Sequence, residues 1–324
     1  MRQIPFQNLA CPIDLEPLSI CGGLEGRIRQ ESFYKCVHNH SFDVARAGYV
    51  NLLPSQFKHS KNPGDQKQMV AARTAFLNSG AYKGVLQALF GAVKAYISDM
   101  SRNALSAHQI GQHAFNIIDA GCGDGYYTVG LAQKLVQDLD ADSFSLSAFA
   151  QESGRASFSI FGYDISKEAV TAAAKRDKDI SWAVATTARM PVLSRTADMV
   201  LCLFGFPVWA EFDRVLKPNG QVILIDAGVD HLIELRERMY DTVYKKQNAS
   251  RTCAGFECVN EQEYKIPLEN LSAEQVADLI KMTPHYYRMN KDKFNALIAN
   301  VPPCVTLNFR VSYYSRQNGR TNRF

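Results

Sequence analysis

The sequence predicts an α/β chain, a doubly wound parallel sheet of Rossmann type behind a small cysteine-containing module. Three observations carry that expectation. From residue 115 onward buried strand runs alternate with helical periodicity, the pattern of a parallel sheet covered on both faces. A glycine-rich turn follows the first of those strands directly. Three cysteines, Cys11, Cys21 and Cys36, fall in the first forty residues together with His38 and His40, a density that points to a metal.

The elements follow in order. Residues 1–54 hold Cys, Gly and short β-type runs such as 33–36 and read as a knuckle or ribbon module. After the turn Pro63-Gly64-Asp65, residues 66–77 place Met69, Val70, Ala72, Phe76 and Leu77 at helical spacing, with Asp65 as candidate N-cap. A second amphipathic helix at 82–97 and a polar connection at 98–113 complete a helical linker, 55–110. The main domain, 111–324, opens with strand 115–120 and helix 125–139. Strand 158–163, helix 167–176, strands 180–185 and 199–204, helix 210–216 and strand 221–225 come next. Residues 140–157, rich in Ser and Ala, read as a surface insertion. A long helix from about His231, a polar run at 256–266, helices near 273–281 and 292–299 and a strand at 305–314 close the chain.

Composition bounds the function. With 324 residues, 46% hydrophobic and 21% charged, the chain can bury about 75% of its unfolded surface without cross-links, which excludes a disordered or disulfide-stapled class. The longest apolar stretch, 199–210, is interrupted by Gly205 and Pro207 and falls short of the roughly 20 residues that cross a bilayer. Asp14 and Glu16 break any export leader. A cytoplasmic protein with reduced thiols and no membrane partner is expected. A net charge of +4 leaves a nucleic-acid partner open.

The glycine turn carries the chemistry. In Asp119-Ala120-Gly121-Cys122-Gly123-Asp124-Gly125-Tyr126 three alternate glycines let the backbone turn sharply and approach a ligand. The G-x-G-x-G spacing departs from the dinucleotide fingerprint G-x-G-x-x-G, which disfavours a pyrophosphate and hence a dehydrogenase. Asp119 at the strand end can accept from an ammonium group. Asp164 closes the next strand, where an acid bonds ribose hydroxyls. A merely tight turn would also use glycine, but the second acid and the turn Leu216-Lys217-Pro218-Asn219-Gly220 before the fifth strand point to a charged nucleoside. These residues resemble the class I S-adenosylmethionine-dependent methyltransferases, in which, as the resemblance implies, the loop holds the cofactor's amino acid part and the acid its ribose.

In the amino-terminal cluster, Cys11-Pro12-Ile13-Asp14 and Cys36-Val37-His38-Asn39-His40 put two ligands on each of two turns, as a structural zinc site does. Cys21 or His38 could instead complete the shell, and simple packing of the same residues is the alternative. The segments His40-Ser41-Phe42-Asp43, Gly48-Tyr49-Val50-Asn51-Leu52-Leu53-Pro54, Pro63-Gly64-Asp65, Gly80-Ala81-Tyr82, Cys122 to Thr128, Asp164-Ile165-Ser166-Lys167, His231-Leu232 and Met282-Thr283-Pro284 resemble the RlmA family of 23S ribosomal RNA guanine-N1 methyltransferases over nearly the whole chain. The resemblance implies zinc on Cys11, Asp14, Cys36 and His40, with Asp14 standing where the family has cysteine. It also implies a cofactor pocket that includes Tyr82, Tyr127, Thr128 and His231, and a homodimer.

Methylating N1 requires that its proton leave, helped by a base or by donors to O6, and N1 lies on the pairing edge, so the base must be unpaired or flipped, as in an RNA hairpin. His231 and Asp226, with Asp230 beside them, are the candidates for the proton. Arg46, Lys58, His59, Lys61, Lys67 and Arg73, interleaved with Tyr49 and Phe57, and the terminal Arg316, Arg320 and Arg323 are candidates for RNA contact. The expected target is guanine 745. The neighbouring guanine 748, a small-molecule substrate, or a non-catalytic zinc and RNA-binding role are the alternatives.

Overall fold

A computed structural model describes residues 2–22, 32–58, 60, 63–102, 114–140, 157–243 and 253–317. Most of the expected connection at 98–113 and insertion at 140–157, with His59, Lys61, Arg320 and Arg323, lies outside them. In chain order the strands of the amino-terminal part are β1 (Arg2–Gln3), β2 (Ser19–Cys21), β3 (Phe33–Lys35), β4 (Ser41–Asp43) and β5 (Tyr49–Asn51). Helices α1 (Lys67–Asn78) and α2 (Lys83–Arg102) follow. Then come β6 (Phe115–Ala120), α3 (Tyr126–Asp140), β7 (Ser157–Asp164), α4 (Lys167–Arg176), β8 (Ser181–Val184), β9 (Ala197–Leu203), α5 (Trp209–Val215) and β10 (Leu216–Ala227). The last elements are α6 (Ile233–Met239), β11 (Phe256–Glu269), α7 (Ala273–Lys281), α8 (Lys291–Ala299) and β12 (Cys304–Arg316).

The central sheet runs β11-β12-β10-β9-β6-β7-β8-β5, with β1 beside β7. Its interior strands are parallel, whereas β12 is antiparallel to β10 and β11 to β12. Because the chain moves outward from β6 to β7 and β8 on one side and to β9 and β10 on the other, the strand order reverses between β6 and β9. A crevice opens at such a switch point, at the carboxyl ends of the strands. β6 and β9 are buried along their whole length, which is why they read as continuous apolar runs.

Each face of the sheet carries its own core. On one, Phe76, Val85 and Leu89 from the first two helices and Tyr82 just before the second pack with Ile117, Val129 and Leu201. On the other, Phe6, Leu9, Leu18, Tyr34 and Cys36 pack with Phe161, Tyr163 and Val200, and the Phe6 and Phe161 rings stack at 5.2 Å. The amino-terminal residues therefore share a core with the main sheet and extend it by β5, paired in parallel to β8. The small antiparallel sheet β2-β3-β4 stands beside it.

Three local expectations are revised. The polar run at 256–266 is the edge strand β11: residues Glu257 to Glu263 are exposed, so no hydrophobic alternation betrays it, and backbone pairing along β12 holds it. The helix expected from His231 begins only at Ile233, after Leu232 turns left-handed with φ 54°. Asp65 does not cap α1; Gln66 occupies that position without a side-chain bond, and Asp65 pairs with Arg73.

The Trp182 ring lies under the glycine turn. A Cβ at Gly162 would come within 2.4 Å of it, and one at Gly125 within 2.9 Å. Trp182 is itself buried and cannot yield. Gly162→Ala should therefore lower the unfolding free energy by about 1–3 kcal/mol through overpacking, measurable by denaturant unfolding followed by tryptophan fluorescence.

Candidate functional site

The turn after β6 is tight because its glycines adopt φ of 86°, 56° and 77° at Gly121, Gly123 and Gly125, values that a Cβ disfavours. The Gly121 and Cys122 amides donate to the Tyr163 carbonyl at 2.9 and 3.0 Å, which ties the turn to the end of β7. Gly123 N donates to Asp164 at 3.1 Å, and Ser166 N donates to the other oxygen of that carboxylate at 2.8 Å. Asp124 is buried under the turn, accepting from Thr74 at 2.8 Å and Arg176 at 2.5 Å. Arg73, held by Asp65 and by the Met282 carbonyl, lies against Gly123. No atom lies within 4 Å of the place a Gly121 Cβ would take, so the open side of the turn faces space rather than protein.

Asp119 is 2% exposed. Its Oδ2 accepts from the Thr128 hydroxyl at 2.5 Å, while Oδ1 has no partner. An unmatched buried oxygen costs about 1–3 kcal/mol. Burial raises its pKa to about 7, and the neighbouring Asp164 charge adds to the rise. Burial likewise raises Asp164. A cationic donor at Oδ1 would relieve both deficits, so this pair of acids fits the ammonium and ribose of an aminoacyl nucleoside.

A wall of rings continues along the strand ends. Tyr82 and His231 centroids are 6.3 Å apart, His231 and Phe204 6.1 Å, and Phe204 and Tyr127 6.5 Å. His231 Nδ1 is 2.7 Å from the Asn308 carbonyl. A carbonyl only accepts, so Nδ1 carries the proton and Nε2, 3.5 Å from the Tyr82 hydroxyl, holds the lone pair. Burial lowers the His231 pKa to about 4, and Arg236 adds to the drop. The ring is neutral at pH 7. The buried Tyr127 hydroxyl has no partner. Asp226 lies within β10, opposite Arg310, rather than beyond the strand. Asp230 bonds Lys265 at 2.7 Å.

Among the described residues one group has metal-ligand spacing: Cys11, Asp14, Cys36 and His40, whose donor atoms lie within 4.8 Å of one another. Two turns present them, each ending in a left-handed residue, Leu15 and Asn39 at φ 66°. The separations are 3.5 Å for Cys11 to His40, 3.4 Å for Cys36 to His40, 3.5 Å for Cys36 to Asp14 and 3.0 Å for His40 to Asp14. Bonds of about 2.0–2.3 Å around tetrahedral zinc imply edges of roughly 3.3–3.8 Å, close to this set. Cys21 lies outside the group and bonds the Ser19 carbonyl. His38, largely exposed, bonds Asp14 at 2.9 Å from outside. Arg189 clasps the first turn through the Pro12 and Ile13 carbonyls at 2.6 and 2.9 Å.

Of the expected RNA contacts, Arg46, Lys58 and Lys67 are exposed. Tyr49 is buried in the core, Phe57 lies under Arg189, and Arg316 is occupied by the Asp213 carboxylate and four backbone carbonyls. Arg73, expected at the RNA, instead bonds Asp65 and the Met282 carbonyl beside the glycine turn; no role was legible in the sequence for Asp124 or for the Phe204-Gly205-Phe206 bend. The bend was hidden inside an apolar run that reads as strand.

Residues 112–293, more than half of the chain, match a family model described as a methyltransferase domain. Residues 9–61 match the RlmA amino-terminal zinc-ribbon model. A Bacillus subtilis (strain 168) protein, provisionally named a 23S rRNA guanine-N1-methyltransferase, is 28% identical over 91% of this chain and 93% of its own length. A Streptomyces fradiae protein named 23S rRNA (guanine(748)-N(1))-methyltransferase is 27% identical over 97% of this chain and 98% of its own. Among the described residues no helix is long and apolar enough to cross a membrane.

The Asp119 carboxyl makes the stability of the fold depend on pH. Its pKa is about 7 in the folded, ligand-free chain against 3.8 ordinarily, so between those values the folded state binds a proton that the unfolded state has released. Stability should therefore fall as pH rises through that window and level off above about 7, by a few kcal/mol at most. Thermal unfolding at pH 5, 6, 7 and 8 should show that decline, and Asp119→Asn should remove most of it.

Proposed function

Because the chain belongs to the methyltransferase-domain family and carries the RlmA-type amino-terminal zinc ribbon, we propose that it methylates N1 of a guanine in a hairpin of 23S ribosomal RNA, with S-adenosylmethionine as donor. The names of its relatives support the substrate. The observation that carries the donor is the buried, unpartnered Asp119 oxygen, two residues before Gly121, whose Cβ position is open. Asp119 would take the ammonium, Asp164 the ribose, Gly121, Gly123 and Gly125 the close approach, and Tyr82, Tyr127, Thr128 and His231 the remaining walls.

Bound there, the donor supplies a sulfonium-held methyl; as the N1–C bond forms the S–C bond breaks, and the N1 proton must leave. The neutral His231, whose Nε2 lone pair lies 3.5 Å from the Tyr82 hydroxyl, is our first candidate to receive it, and Asp226 the second. Their single alanine replacements separate the two: a base lost from the mechanism lowers kcat by about 10²–10⁴-fold, while the donor's Kd reports any effect on the pocket. The exposed Arg46, Lys58 and Lys67 would neutralise phosphates, so RNA affinity should fall steeply with added salt.

Guanine 745 is the target suggested by the sequence resemblance, while the Streptomyces fradiae relative is named for 748. Incubation with labelled donor and unmodified 23S rRNA, then mapping of the labelled nucleotide, tests substrate and position together. Label at N1 of a guanine in that hairpin is the expected outcome; label confined to small molecules, or none, would overturn the reading.

For the metal we propose zinc on Cys11, Asp14, Cys36 and His40, in a structural role because four protein ligands leave no open position. Burial raises the Cys11 thiol to about 11, and zinc would hold it as thiolate. Thiolate is the softer ligand, so Asp14→Cys should bind zinc more tightly by competition with a chromophoric chelator. Stripping the metal from the native protein should lower its melting temperature, because Cys11 and Cys36 belong to the second core.

A further inference from the structure

Phe206 is the most exposed large hydrophobic side chain among the described residues, 89% accessible. It stands on a bend fixed at both ends. Phe204, just beyond β9, is left-handed at φ 53°, a conformation a bulky side chain rarely takes, and its amide donates to the Ile225 carbonyl at 2.7 Å. A Cβ at Gly205 would lie 3.1 Å from Cys202 Sγ and 3.7 Å from the Ala120 carbonyl, so the bend presses over the end of β6 where the glycine turn begins. On the far side Trp209 is anchored by Phe256 and Tyr314 at 5.3 and 4.9 Å. Backbone strain of this kind persists where the surroundings over-determine it, and it clusters at binding sites.

The bend also continues the ring wall. Phe204 lies between His231 and Tyr127, and Phe206 follows it by two residues, directly after Gly205, which lies over the carboxyl end of β6. Tyr127 and His231 are half-buried and Phe204 is partly exposed, whereas Phe206 offers nearly its whole ring to solvent. A planar, weakly solvated base face is the complement of such a ring: stacking of a base on an aromatic side chain is worth about 1–3 kcal/mol. A base held there would keep its hydrogen-bonding edge free for the neutral Nε2 of His231 and for the methyl donor. We propose that Phe206 is the stacking plate for the unpaired target guanine, positioned by the strained Phe204-Gly205 bend. The proposal rests on the RNA-methylating reading above and deepens it by naming the residue that receives the base.

The test uses the full chain, S-adenosylmethionine and unmodified 23S rRNA, with steady-state kinetics for Phe206→Ala, Phe206→Leu and Phe206→Tyr and calorimetry for the donor. The expected result is a roughly 10- to 100-fold loss in kcat/KM for RNA in the alanine variant, a loss only partly repaired by leucine, near-complete recovery with tyrosine, and an unchanged donor Kd throughout. Alanine equal to wild type, or leucine as good as tyrosine, would overturn the stacking role while the RNA reading stood. Loss of donor binding in the alanine variant, or a change in its oligomeric state by light scattering, would make Phe206 structural and equally end the proposal. Wild-type protein inactive on the RNA would remove the reading and this inference with it.

Discussion

Everything in the crevice is arranged around a carboxylate that the fold buries without fully satisfying. Asp119 sits at the end of a strand buried along its whole length, with one oxygen on Thr128 and the other unmatched. A carboxyl in that position is pushed toward its neutral form, and a positively charged donor entering from the glycine turn would restore the charge at neutral pH. The turn supplies the access. Its three left-handed glycines keep side chains out of the approach, and the amides of the turn are spent on Tyr163 and Asp164, which leaves its open face to a ligand.

The amino-terminal region is built into this arrangement. The two knuckle turns bury Cys11 and Cys36 in the same core as the β7 aromatics, and Arg189, from the segment between β8 and β9, grips the first of them. The helices after the module cross to the opposite face: α1 sends Thr74 and Arg73 to the glycine turn, and Tyr82, just before α2, reaches His231. One contiguous stretch of chain thus braces the sheet from both sides. A metal at the knuckles would act on the sheet through packing, at a distance from the chemistry.

What could be read in advance follows from where the physics is local. The glycine turn and its two acids were legible because alternate glycines after a buried strand have few other uses, and the parallel core strands because continuous burial leaves an uninterrupted apolar run. Among the possible ligands, spacing alone could not choose between His38, His40 and Cys21. The folded turns decide that: Leu15 N closes the first on the Cys11 carbonyl and Asn39 N the second on the Cys36 carbonyl, which brings Asp14 and His40 to the two buried cysteines. β11 escaped because its stability comes from a partner strand thirty-five or more residues further along the chain, with solvent on most of its own side chains. β5 escaped because three residues carry too little pattern to announce a place in the main sheet. Asp226 and Asp230 were chosen for sitting near the end of the fifth strand, and the structure gives them different settings: the one lies inside β10 and the other bonds Lys265.

Calorimetric titration of the native protein with S-adenosylmethionine at pH 6, in buffers of different ionisation enthalpy, counts the proton held at the Asp119 carboxyl. If Asp119 takes the donor's ammonium, binding should expel close to one proton at that pH, the release should fade by pH 8, and Asp119→Asn should bind more weakly with little release at either pH. Tight binding with no proton release, unchanged in the asparagine variant, would contradict that role.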